Sequence, residues 1–145
     1  MGPFLTYGGK RNRSVGHSYE RKTAKRLREE LGWKHVVTSR SESKTRDDQK
    51  VDLMNHDEYT NSRMLFDIQC KNTTVNVNYH KLMGEMPDLE ETMPVILHNK
   101  TQKAEDGSKF MKVGEYALMK ADDWYTLMSE LEEFRREKEK FIASE

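Results

Sequence analysis

The chain is predicted to fold as one α/β domain built on a mixed sheet, and three observations carry that expectation. Periodic segments follow one another as helix, three strands, helix, two strands, helix, an order that suits a sheet with helices packed on it. The first and last segments hold apolar residues at helical spacing, whereas the middle ones alternate or form short apolar runs. A length of 145 residues supports a single modest core.

In chain order, residues 1–13 are Gly-rich and basic and read as a flexible arm bearing Lys10, Arg11 and Arg13, which leaves 14–145 as the folded domain. Ser14 or Gly16 can open a helix running to about Leu31, with Val15, Tyr19, Thr23, Ala24, Leu27 and Leu31 at helical spacing and Gly32 as its stop. His35-Val36-Val37-Thr38 reads as a short strand inside 34–39. The stretch Arg40 to Lys50 has no apolar residue and reads as a polar loop. Val51 to Asn55 is a second short strand and His56 to Ser62 a turn.

Arg63 to Lys71 alternates most cleanly: Met64, Phe66, Ile68 and Cys70 fall on one side, and Leu65, Asp67, Gln69 and Lys71 on the other. Asn76 to Met86 is expected to be helical, ended by Pro87. Met93 to His98 is an apolar run of the buried-strand type, followed by a loop over 100–108 and a strand between Phe110 and Met119. The last helix should start near Asp122 or Asp123 as N-caps. It carries Trp124, Leu127, Met128, Leu131, Phe134 and Phe141 along one stripe, suited to a core or to a dimer interface.

Composition bounds the function classes. Hydrophobic and charged residues each make up 34%, and the mean hydropathy is −0.98. The formal net charge is +0 but unevenly spread: residues 1–50 hold 13 Lys and Arg against 6 Asp and Glu, while 51–120 and 121–145 are both net acidic. A basic first third on an otherwise acidic chain points to nucleic acid. The single cysteine, Cys70, excludes an internal disulfide. No apolar run approaches the ~20 residues of a membrane span, and no signal-peptide pattern opens the chain. A cytoplasmic, non-membrane setting is therefore expected.

Three separated pieces carry chemistry: Gly16-His17-Ser18-Tyr19-Glu20-Arg21 on the first helix, Val51-Asp52-Leu53 on a short strand, and Asp67-Ile68-Gln69-Cys70-Lys71 at the end of the alternating strand. Phosphodiester hydrolysis needs an activated water and stabilisation of charge on the phosphate and leaving oxygen, and a hard cation held by oxygen ligands can serve both. Gln69 and Lys71, two apart on a strand, project from one face. Asp52 on the neighbouring strand and Glu20 on the packed helix can join them, placing two carboxylates, one amide oxygen and one ammonium around one ion.

This order of G-x-x-x-E-R, V-D-L and a strand ending in x-x-K resembles the PD-(D/E)XK nucleases. The Gly16, Glu20, Arg21 helix is similar to that of the Holliday junction resolvases of archaea and some phages. The resemblance covers roughly residues 10–100. It implies a restriction-endonuclease-like central sheet, an endodeoxyribonuclease dependent on Mg²⁺ (with Mn²⁺ as substitute), branched DNA as substrate, and a homodimer that nicks two strands symmetrically. It further implies Glu20 as the helix acid, Asp52 as the central metal ligand, Lys71 as the catalytic lysine and Arg21 as a phosphate-facing arginine. At position 69 the family's usual acid is replaced by Gln69, whose amide oxygen can coordinate a cation without charge. Some restriction-type members carry glutamine there. Asp67, two residues earlier on the same face, is the candidate substitute.

The stretch Thr38 to Arg46 offers hydroxyls together with Arg40, Lys44 and Arg46, a set suited to phosphate contacts that position DNA without reading bases. With the N-terminal arm it would form the electrostatic footprint. Two other functions fit the same residues: a restriction- or repair-type nuclease acting on duplex DNA, and a catalytically silent DNA-binding module. The five histidines show no ligand spacing.

Overall fold

The computed structural model describes residues 2–42, 44–55 and 65–144, with side chains described in those ranges except at 2–12, 41, 42, 45, 46 and 55. The expected turn at His56 to Ser62 and the first two residues of the expected strand at Arg63 lie outside these residues.

The fold is an α/β arrangement around one five-stranded mixed sheet of order β1-β2-β3-β4-β5. Helix α1 spans Gly2–Leu31, β1 Val36–Thr38, α2 Ser39–Glu42, α3 Lys44–Asp48, β2 Leu53–Asn55, β3 Phe66–Thr73, α4 Tyr79–Glu85, β4 Met93–Lys103, β5 Phe110–Met119 and α5 Ala121–Ala143. Strands β1, β2 and β3 form an antiparallel meander. The crossover through α4 then sets β4 parallel to β3, and β5 returns antiparallel to β4.

Two apolar clusters lie on opposite faces of this sheet. On one face Tyr19 and Ala24 of α1 meet Val36, Leu53, Ile68 and Cys70, with Leu27, Trp33, Phe66 and Leu97 around them. On the other, Leu82 and Met86 pack on Ile96, flanked by Val77, Met83 and Leu118. The parallel register pairs Ile68 with Val95, Gln69 with Ile96 and Cys70 with Leu97. Because side chains alternate across a strand, Ile68 and Cys70 face α1, whereas Gln69 and Lys71 face α4. Burial on both faces explains why Met93 to Leu97 is a continuous apolar run.

Gly32 ends α1 in the left-handed region at φ 69°, as its position predicts. At the other end α1 continues through residues 2–13 instead of giving way to an irregular arm. Pro3 falls in the first turn, where a missing N–H costs nothing, and the sequence has no proline from 4 to 31 to interrupt the ladder. Gly8 and Gly9 weaken a helix by roughly 1 kcal/mol each without removing a donor.

The polar stretch 40–50 contains two short helices, not only loop. Lys50 closes the second at φ 63°, donating its N–H to the Asp47 carbonyl at 3.0 Å. Helix α4 opens at Asn78, whose side chain accepts from the Lys81 N–H at 3.2 Å. Strand β4 runs to Lys103, beyond the expected His98, because its polar end pairs with β5 through the backbone ladder. The turn between them uses Gly107 at φ 74° and an Asp106 carboxylate that accepts from the Ser108 N–H and hydroxyl.

Helix α5 starts one or two residues before the expected caps. Lys120 is its N-cap, with no side-chain cap bond, and Asp122 and Asp123 sit in the first turn, where their charges suit the helix dipole. None of its residues is buried, so its apolar stripe is not part of either core. No described helix is long and apolar enough to cross a membrane.

Candidate active site

Asp52 is fixed before β2 begins. Its N–H donates to the Ile68 carbonyl at 2.7 Å and its own carbonyl accepts from the Ser39 N–H at 2.7 Å. Its carboxylate Oδ2 accepts from the Cys70 N–H at 2.7 Å. The side chain thus takes the place of a backbone partner and extends the β2–β3 ladder within the plane of the sheet. Only 6% of the residue is exposed. Burial raises its pKa from 3.8 to about 6, and the Cys70 N–H and the Lys71 ammonium only partly offset that rise.

Glu20 comes from α1, one turn of helix from the buried Thr23 and Ala24. Burial, and then the negative charge of Asp52, push its pKa from 4.5 to about 7. The Arg40 guanidinium opposes this shift from 3.8 Å, Nε to Oε2. That separation is an ion pair but too long for a hydrogen bond, and Glu20 Oε2 is buried with no hydrogen-bond partner.

Gln69 is 5% exposed, and its Oε1 is likewise buried without a partner. Asp67 and Gln69 are both buried, so β3 is covered on both faces. Asp67, the expected substitute acid, is 1% exposed and accepts from the Thr92 hydroxyl at 2.8 Å, so this carboxylate is tied to the start of β4. Lys71 is half-buried, and its charge acts on Asp52.

Asp52 is therefore the meeting point: Glu20 approaches it from the α1 side, and Gln69 and Lys71 stand on the α4 side. Lys71, Thr73, Asn76, Asn78, Lys81 and Glu85 line part of a cleft of about 280 Å³ on that second side.

The basic residues divide in the same way. The charges of Arg40, Arg21 and Arg13 all act on His17 and, with burial the larger cause, hold its pKa below the usual value. These three arginines therefore gather at one region of α1. Lys44 is exposed. Lys10, Arg11 and Arg46 have side chains outside the described residues. Thr38 and Ser39, expected to offer hydroxyls to phosphate, are buried at 8% and 0% exposure and cannot do so.

Sequence reading passed over His17 and Asp47. His17 precedes Glu20 by three positions on α1, a spacing that puts two helical residues on one face and could have flagged it. Asp47 raises the pKa of both Glu20 and Asp52 by its charge. It sits on a short helix with no periodic signal to mark it.

Among the described residues no three His, Cys, Asp or Glu side chains gather as a metal-binding group. The donors the site does offer are two carboxylates and one amide, all oxygen, as Mg²⁺ and Mn²⁺ prefer. Two unpartnered buried oxygens and two acids whose charge is incompletely balanced are what a cation would satisfy. Asp52 and Glu20, which act on each other by charge, fit such an ion as a pair, while Gln69 stands on the other side of the sheet from Glu20. No protein-family model matches the chain, and neither a curated protein nor a solved structure does.

Proposed function

We propose that this chain is a metal-dependent DNA endonuclease of the PD-(D/E)XK type that resolves four-way junctions by paired nicks. The observation that carries the reading is Asp52: a buried acid locked to β3 by two hydrogen bonds, with Glu20 on one side and Lys71 on the other. A pure binding protein has no use for two buried acids whose charge is only partly balanced. The order α1, β1, β2, β3, α4, β4, interrupted only by the short helices α2 and α3 and with β3 and β4 parallel, is in keeping with a restriction-endonuclease-like core.

Mg²⁺ or Mn²⁺, when held by Asp52 with Glu20 on the α1 side or with Gln69 on the α4 side, would supply Lewis acidity and lower the pKa of water. The chain's own groups do the rest. Lys71 places a positive charge where a phosphate oxygen or the attacking water is held. Glu20, with a pKa of about 7, can take up or release a proton near neutrality. Arg13, Arg21 and Arg40 hold backbone phosphates without reading bases. The cleft beside Lys71, with Lys81 and two asparagines, has the polarity to pass one strand.

The test is cleavage of an immobile four-way junction and its matched linear duplex in Mg²⁺ or Mn²⁺, comparing wild type with Asp52→Ala. Symmetric nicks on the junction alone, lost in the variant, are the expected result. Cleavage of both substrates would move the assignment to a restriction- or repair-type nuclease. Tight binding with no cleavage would favour a silent DNA-binding module, a reading that the neutral Gln69 supports.

A further inference from the structure

Alternate side chains of β3, β4 and β5 point to the face of the sheet on which α4 packs. On that face the strand registers line up Lys71, His98 and Tyr116 in one row, and Thr73, Lys100 and Gly114 in the next. Ile96 and Leu118, the residues before this row on the same face, pack with Leu82 and Met86 of α4 and so fix which face it is. Neighbouring strands lie about 4.8 Å apart, so each row is about 10 Å wide at the backbone.

Tyr116 has a seat made for it. A Cβ at Gly114 would lie 2.7 Å from Cζ and 2.9 Å from Cε2 of the Tyr116 ring, closer than a real side chain could come. The tip of the ring therefore rests over Gly114, laid along β5 instead of standing off it. The residue is nevertheless 54% exposed. An aromatic ring laid on a sheet with its surface open to solvent is a platform on which a base can stack.

The same rows carry positive charge. Lys71 and Lys81 line the cleft on this side, and Lys100 donates to Asn76 Oδ1 in its wall. None of the described ion pairs involves any of these three lysines. Among the described lining residues Glu85 is the single acid, and Thr73 and Asn78 add a hydroxyl and an amide. The rows are also tied together. The Thr73 hydroxyl gives its one proton to the Val75 carbonyl at 2.8 Å, so at 2.9 Å it accepts from His98 Nε2.

A lone exposed ring is ordinary on a protein surface. Here the ring shares two rows of one sheet face with three lysines that no described acid neutralises. Duplex phosphates would satisfy the lysines but not the ring, because a base inside a duplex already has both faces stacked. An unpaired base has a free face to offer.

We infer that this face of the sheet binds single-stranded nucleic acid, with Tyr116 stacking on a base and Lys71, Lys81 and Lys100 holding the flanking phosphates. The inference goes beyond the cleavage reading, because it names a stacking residue and a preference for unpaired bases. It is tested without any cation, so a failure of cleavage leaves it standing, and its own failure leaves Asp52 and Glu20 where they are.

The experiment is fluorescence anisotropy in EDTA with a dye-labelled thymidine oligonucleotide of about 12 nucleotides, within the usual site sizes. Wild type should bind it. Tyr116→Ala should weaken binding by about tenfold, the loss of one stacked base, while Tyr116→Phe, which keeps the ring, should stay within about twofold. Gly114→Ala should weaken binding with Tyr116 still present, because the added methyl takes the place of the ring's tip. Lys81→Ala should lower the slope of log affinity against log salt by about 0.7. A hairpin duplex of matched length should lose no affinity in Tyr116→Ala. Since Tyr116 is exposed, the variant's melting transition should match that of wild type, which separates lost binding from lost folding. No binding by wild type, or equal binding by wild type and Tyr116→Ala, overturns the proposal. A loss in Tyr116→Phe as large as that in Tyr116→Ala makes the hydroxyl the contact and overturns stacking. An equal loss on the hairpin overturns the preference for unpaired bases.

Discussion

Replacing Asp52 by asparagine should stabilise the protein in the absence of divalent cations. The Asp52 pKa rises from 3.8 to about 6 on folding. Its folded pKa therefore lies above the unfolded one, so the folded chain holds this proton more tightly. The stability it contributes is present in full below about pH 4 and is lost as pH climbs through about 6. A rise of this size corresponds to about 3 kcal/mol at neutral pH, taking about 1.4 kcal/mol for each tenfold change in proton affinity.

The Asp52→Asn side chain would keep an acceptor for the Cys70 N–H and shed the charge. At pH 7.5 the variant should thus gain up to about 3 kcal/mol, seen as a melting transition higher by roughly 5–10 °C for a chain of this size. At pH 4 the two proteins should melt together. Magnesium should raise the transition of wild type and leave the variant unmoved, since an ion stabilises only the state that binds it. Thermal melts by circular dichroism at pH 4, 6 and 7.5, with EDTA or 10 mM Mg²⁺, read all of this. An asparagine variant that melts lower than wild type at pH 7.5, or a wild type whose stability rises from pH 4 to 7.5 as steeply as the variant's, would refute the reading of Asp52 as an uncompensated buried acid.

Gln69→Glu should add a third acid to the site. Calorimetric titration with Mn²⁺ should show tighter binding by tenfold or more, while the cation-free protein melts lower; unchanged affinity would remove position 69 from the ligand set. Lys71→Ala should abolish cleavage and leave junction affinity within about threefold by gel shift, whereas equal loss of both would make Lys71 a phosphate contact only. Arg40→Ala should weaken DNA binding and reduce the slope of log affinity against log salt by about one, and an unchanged slope would take Arg40 out of the interface. Lys50→Gly should stabilise the fold by roughly 1 kcal/mol in urea titration, since Lys50 alone among the described non-glycine residues holds a positive φ.

Much of the fold was legible because it rests on local pattern. The Gly32 stop, the alternation around Ile68, the apolar run at Met93 and the stripe on α5 are signals within a few residues of each other, repeating every two or 3.6 positions. Glu20, Asp52, Gln69 and Lys71 could be chosen as candidates from residue types on recognisable elements, but not their division between the two sides of the sheet. The extension of β4 to Lys103 was not, because its end is polar and is held by backbone pairing with β5 rather than by side chains.

What the sequence determined by itself is thus the kind of most elements, residues 2–13 and 40–50 excepted, and the candidate chemistry. Tertiary structure decided which candidates meet. It tied Asp67 to Thr92, buried Thr38 and Ser39, brought Asp47 toward the acids, and set Asp52 between the two faces through a bond to Cys70, 18 positions away. It also left Trp124, Leu131, Phe134 and Phe141 of the α5 stripe exposed. Burial and pKa depend on neighbours distant in the chain, and no local period encodes those neighbours.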